Sequence, residues 1–159
     1  METKEAIILT ERQKELIEKM GVVNEKYGSS PAMARIQALL IVADETALTF
    51  DQIRDTLHLS KSATSNAINF LLQSNKLEYI TKSGDRKRYF RTMLHKWKEQ
   101  FMEQNEGVKH MSDSLSEVLK ERTGETVEFN AHLKEVIDFL NFYRTTVQDT
   151  FEKWNSSRQ

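Results

Sequence analysis

The sequence predicts a mostly α, α+β fold, and three observations carry that expectation. Among 159 residues Gly is 5 and Pro is 1, while charged residues are 30% and hydrophobic ones 38%, a balance that favours long amphipathic helices. Apolar residues recur at helical spacing over most of the chain. One stretch near the middle alternates instead: residues 77–81 and 87–91 flank a Ser83-Gly84-Asp85 turn and read as a single hairpin.

Residues 4–27 come first, with Leu9, Leu16, Ile17, Met20, Val23 and Tyr27 near helical spacing and Gly28 as the stop. Ser30-Pro31 opens the next helix, Ser as N-cap and Pro at the first helical position. Ala34, Leu39, Leu40, Ile41 and Val42 make it apolar around much of its circumference, so it should be buried. Asp44-Glu45-Thr46 ends it. Thr49 and Gln52 have capping-box spacing and open a short helix with Ile53 and Leu57, closed by Leu59.

Ser60 then caps a helix over residues 61–74. Thr64, Ala67, Ile68 and Leu71 form its inner face; Lys61, Ser62, Ser65, Asn66, Asn69 and Gln73 form the other. That outer face carries one formal charge, where a solvated helix shows more Glu and Lys. Short hydrogen-bonding side chains with one Lys suit a surface that enters a DNA groove. Asn75 can adopt the left-handed conformation that ends a helix.

Beyond the hairpin, Leu94, Trp97, Phe101, Gln104, Val108, Met111, Leu115 and Val118 step alternately by three and four, a coiled-coil seam broken only by Gln104. Gly124 interrupts it. Thr126 can cap a last helix with the seam Phe129, Leu133, Val136, Leu140, Tyr143, Val147 and Trp154, and the tail 155–159 should fray.

Charge is unevenly placed. Between His58 and Lys98 stand nine Lys and Arg against Glu78 and Asp85, a local balance of +7; the whole chain carries −1, so the remainder carries −8. A basic middle in an acidic chain suggests a polyanion-facing surface. Helix, short helix, polar-faced helix and basic hairpin, in that order, describe a winged helix-turn-helix with long N- and C-terminal dimerisation helices. The expected organisation is an N-terminal dimerisation helix over 1–29, a DNA-binding domain over 30–92 and a C-terminal helical dimerisation region over 93–159. The polar-faced helix would read base edges through Lys61, Ser62, Ser65, Asn66 and Asn69. The hairpin would neutralise phosphates through Arg86, Lys87 and Arg88. The partners implied are an inverted-repeat duplex and a second copy of the chain.

Several segments together resemble the GbsR-type branch of the MarR transcriptional regulators. They are the run from Gly28 to Leu40 with Arg35, Leu48-Thr-Phe-Asp-Gln-Ile53, Leu59-Ser-Lys-Ser62, and Gly84-Asp-Arg-Lys-Arg-Tyr-Phe90. The resemblance covers about residues 18–95. It implies a homodimeric, bacterial-type, cytoplasmic DNA-binding regulator, usually a repressor, in a branch whose relatives respond to choline or glycine betaine. Asn75 departs from it, standing where the family usually has Gly.

Other chemistries are poorly supported. With no cysteine, thiol catalysis, zinc ribbons and disulfides are excluded. His58, His95, His110 and His132 lack metalloenzyme spacing, so no metal or other cofactor is expected. Carboxylate pairs such as Glu11 with Glu15 sit on charged helix faces with nothing to desolvate them, and no phosphate loop or serine elbow exists, so an enzyme is not expected. No apolar run approaches the ~18 residues of a membrane span, and the start has only a four-residue apolar stretch. The aromatics of the C-terminal half are foremost helix-packing core or dimer interface. Trp97, Phe101 and Tyr143 are candidates to line a pocket for a small-molecule effector. A helical protein-interaction scaffold, using the winged helix to dock proteins, is the alternative; it requires an apolar outer face on helix 61–74.

Overall fold

The computed structural model of the chain describes residues 5–158. Two compact units meet between Leu94 and His95. The first contains α1 (Glu11–Lys26), α2 (Pro31–Val42), β1 (Leu48–Thr49), α3 (Phe50–Thr56), α4 (Lys61–Gln73), β2 (Leu77–Thr81) and β3 (Arg88–Thr92). A 3-10 turn, Leu94–Lys96, spans the boundary. The second unit holds α5 (Trp97–Glu121) and α6 (Val127–Ser156).

The first unit is a winged helix-turn-helix, built largely by local chemistry. Ser30, Thr49 and Ser60 each accept a backbone N–H three residues on, from Met33, Gln52 and Ala63. Gln52 completes the capping box by accepting the Thr49 N–H at 2.8 Å. Helix ends are equally local. Gly28 at φ 89°, His58 at φ 52° and Asn75 at φ 54° each follow the last turn of a helix in left-handed conformation. Beyond each, a backbone N–H folds back five residues: Ser29 to Asn24, Leu59 to Arg54 and Lys76 to Leu71. This 6→1 bond satisfies carbonyls the helix leaves open. Asn75 thus stops α4 in the left-handed conformation without a glycine.

Ile36, Leu39, Leu48, Ile53 and Leu71 are fully buried in one core where α2, α3, α4 and the sheet converge. β3 lies between β1 and β2, antiparallel to both, pairing Phe90 with Leu48 on one side and Tyr79 on the other. The two-residue β1 has no signal in the sequence, because it exists only as a partner of β3.

The N-terminal helix differs from expectation. It spans Glu11–Lys26, with Thr10 as N-cap in a capping box with Gln13, and residues 5–10 are extended. Residue 4 lies outside the described residues. The boundary expected at residue 29 separates nothing: α1 packs on α2, burying Ile17 in the common core. Arg35 of α2 reaches back to Glu18 at 2.9 Å and to Glu25. These hydrogen bonds, that of Glu18 foremost, hold the guanidinium pKa above its ordinary value. A Cβ at Gly21 would stand 3.2 Å from Arg35 Cγ, so a small residue lets the Arg35 stem lie across α1. The return strand of the hairpin runs Arg88–Thr92, one residue later than expected.

In the second unit α5 and α6 run antiparallel. Lys98 bonds to Asn155, Asn105 to the Arg144 carbonyl, Ser112 to Asn141 and Arg122 to Asn130. The expected seam faces α6 only in part: Trp97 and Phe101 set their rings against Trp154 and Phe151 of α6, while the centre of the contact lies on another stripe. Asn105 and Ser112 are buried instead, with Val108 and Leu115 half-buried, while Trp97, Phe101, Met111 and Val118 stay exposed. Leu94 lies in the 3-10 turn and is exposed. Spacing by three and four identifies an apolar stripe but not what covers it; here the small polar stripe beside it allows close helix approach. α5 stops at Glu121, before Gly124. Thr126 holds the N-cap position without capping a backbone N–H, its hydroxyl joining Arg122 and Asn130. Asn155 and Ser156 are helical rather than frayed.

Candidate nucleic-acid interface

α4 presents two chemically distinct faces. Thr64, Ala67, Ile68 and Leu71 are buried. Lys61, Ser62, Asn66 and Asn69 are exposed on the other side, and Ser65 is half-buried. The capping hydroxyl of Ser60 lies 3.2 Å from Ser62 Oγ, and Thr64 donates its hydroxyl to the Ser60 carbonyl at 2.9 Å, which fixes the first turn. Asn66 and Asn69 make no side-chain hydrogen bond to another described residue, so their amides are open to a ligand. Phe70 also stands half-exposed on α4, an apolar spot beside the polar face.

The hairpin is pre-organised by its own side chains. Tyr89 donates its hydroxyl to Asp85 Oδ2 at 2.6 Å, and the Lys87 backbone N–H donates to Asp85 Oδ1 at 2.8 Å. The Tyr89 bond first, then the Lys87 bond, hold the Asp85 carboxyl below its ordinary pKa; the same contact raises Tyr89. Lys82 stands 3.9 Å from the centroid of the Tyr89 ring and Arg88 stands 4.7 Å from that of Tyr79. Such cation–π contacts limit where the long side chains wander while leaving their donors outward.

Between α4 and the hairpin lies an open groove of about 330 Å³. It is lined by Ser65, Ile68, Asn69 and Leu72 of α4, Thr49, Phe50 and Asp51 at the start of α3, and Lys87, Arg88 and Phe90. Ser65, Asn69, Lys87 and Arg88, all chosen from sequence, therefore converge. Lys61, Ser62 and Asn66 project from the outer surface of α4 instead, and Arg86 sits exposed at the hairpin, without an ion pair to another described residue.

Two features temper the positive charge counted in sequence. Arg91 pairs with Glu78 at 2.6 Å, its partner in the β2–β3 register, and so is removed from the free cations. Lys87 Nζ pairs with Glu5 Oε1 at 2.6 Å. Glu5 and Asp51 are site acids that sequence reasoning missed. Asp51 lies in the first turn after the Thr49 cap and could have been found from it; Glu5 lies 82 residues from its partner with no local signal.

In the second unit Trp97, Phe101 and Tyr143 come together, with Phe139, Phe142, Thr146, Val147, Thr150, Phe151 and Trp154, around an open cavity of about 400 Å³. Trp97 meets Trp154 edge to face at 5.3 Å between centroids, and Phe101 stacks on Phe151 at 5.5 Å. No group of three or more His, Asp or Glu that could hold a metal occurs among the described residues. No helix among them is long and apolar enough to cross a membrane.

No family model matches the chain, and no curated protein sequence does. Solved structures do match. A crystal structure described as a transcriptional regulator superposes with a TM-score of 0.74 at 21% identity, over 91% of this chain and 99% of the other. A MepR mutant from a multidrug-resistant S. aureus clinical isolate gives 0.42 at 15% identity, over 84% and 99%, a loose likeness that adds nothing to the first.

Proposed function

We propose that the chain is a sequence-specific DNA-binding transcriptional regulator that acts as a homodimer, in the manner of a MarR-type repressor. One observation carries this reading: α4 exposes Lys61, Ser62, Asn66 and Asn69, the two Asn amides with no side-chain hydrogen bond to another described residue, next to a basic hairpin. An α-helix fits the major groove of B-form DNA, where Asn can pair in a bidentate manner with adenine N6 and N7 and Ser can bond to several bases. Lys61 reaches phosphate or guanine, and Arg86, Lys87 and Arg88 engage the flanking backbone. The likeness to a structure described as a transcriptional regulator agrees with this at the level of fold. A docking surface for a protein would require an apolar outer face on α4; Phe70 alone does not make one.

A two-fold dimer would place two copies of α4 in major grooves about 10 bp apart, or a multiple, so the target is an inverted repeat. A small-molecule effector would bind against Trp97, Phe101 and Tyr143. Selection from a random duplex pool tests the reading. It should return an inverted repeat, and Asn66→Ala should then cost roughly 1–3 kcal/mol on that duplex, relax one symmetric pair of base positions and leave random-duplex affinity nearly intact. No enrichment, or an Asn66→Ala protein indistinguishable from the parent on the selected duplex, removes α4 from the reading role.

A further inference from the structure

The extended segment before α1 is anchored to the reader. Glu5 donates its backbone N–H to Asp55 Oδ2 at 2.9 Å, and Ile7 donates to Thr56 Oγ1 at 3.0 Å, both at the end of α3. Ile7 and Leu9 pack against the core while Ile8 between them is exposed, the alternation of an extended chain lying on a surface. From that anchor the Glu5 carboxylate accepts a hydrogen bond from Lys87 Nζ at 2.6 Å. Lys87 shares a groove with Ser65 and Asn69, so the carboxylate stands at the edge of the surface that the proposed function gives to DNA.

That position is hard to account for as a contribution to stability. Both side chains are more than a third exposed, and exposed ion pairs of this kind are worth little. The pair does raise the Lys87 pKa, with the Glu5 hydrogen bond as first cause and Asp85 and Asp51 adding to it. Its larger consequence is for a ligand: it occupies a cation that would otherwise meet a phosphate.

We propose that Glu5 is an acidic brake on the DNA groove: the N-terminal arm holds Lys87 in an internal ion pair that a DNA phosphate must displace. The proposal rests on the DNA-reading role assigned above. The phosphate oxygen and the Glu5 carboxylate compete for one ammonium, so the brake acts on every sequence alike; Lys–phosphate contacts position a protein without reading bases. Release of the arm, by a ligand or partner that takes up Glu5, would tighten binding without altering specificity.

Glu5→Gln keeps the length of the side chain and both backbone anchors and removes only the charge. Parent, Glu5→Gln, Lys87→Ala and the double variant are titrated against the selected duplex and a random one over a range of salt. Glu5→Gln should tighten both duplexes by about two- to fivefold at low salt, which is the reach of an exposed ion pair. It should also steepen the log-affinity versus log-salt slope by up to about 0.9. In the Lys87→Ala background the gain should vanish. Unchanged or weaker binding by Glu5→Gln overturns the brake. So does a gain confined to one duplex, or one that persists without Lys87. A parent that binds no duplex at all sinks the DNA-reading role as well, whereas a parent that binds beside an inert Glu5→Gln sinks the brake alone.

Discussion

The two units of the chain solve the problem of apolar surface in opposite ways. The first closes a core on itself: α2 alone buries Ala34, Ile36, Ala38, Leu39 and Leu40, and the sheet adds Leu48, Leu77 and Phe90. The second, among its described residues, buries one apolar side chain, Ile137, and covers the inner face of α5 with Asn105 and Ser112. Its large residues point outward: Phe139 is 61% exposed, Phe142 69% and Met111 59%. Two antiparallel helices have too little mutual surface to hide stripes on both, so this unit is incomplete in a way the first is not. Exposed patches of that extent mark interaction surfaces. A closed two-fold pair is the commonest way to cover one.

Leu39→Ala, at a fully buried position of the first unit, should destabilise the protein by about 2–5 kcal/mol in denaturant unfolding. Phe139→Glu with Phe142→Glu should spare the fold of the first unit but dissolve the proposed dimer. Sedimentation of the parent should give about 37 kDa, twice the 18.6 kDa of the chain, and the double variant should fall to the single-chain mass. A parent that sediments as one chain would remove the reason given for the exposed stripes.

Next in size is a test of the cations of the proposed reading surface. Arg86 makes no internal ion pair with another described residue, unlike Lys87 and Arg91, so it should meet phosphate without prior release. Arg86→Ala should weaken operator and random duplex equally and flatten the salt slope by about 0.9. An effect on the operator alone would make Arg86 a reader of bases.

The smallest effect sharpens the second unit alone, because both tryptophans, Trp97 and Trp154, stand there. Their emission, titrated with choline, betaine and a set of hydrophobic compounds, should shift if the aromatic cavity takes an effector, and DNA affinity should change with it. Constant emission with constant DNA affinity leaves Trp97, Phe101 and Tyr143 as packing residues.

The fold and much of the candidate interface were legible in the sequence because local chemistry writes them. Caps at Ser30, Thr49 and Ser60, left-handed stops at Gly28 and Asn75, and the two-faced pattern of α4 all act within a few residues. Nothing distant is needed to place Lys61, Ser62, Asn66 and Asn69 on an outer face. Tertiary structure alone decided what depends on chain returning to chain. β1 forms because β3 offers it hydrogen bonds. Residues 5–10 stay extended because Thr10 caps α1 while Asp55 and Thr56 hold the arm. Lys87 and Arg91 are held in ion pairs with Glu5 and Glu78, and of these two acids only Glu78 lies nearby in the hairpin. The seam of α5 shows the same limit: a repeat of three and four fixes which residues share a face, but the neighbour of that face is set by close approach at Asn105 and Ser112.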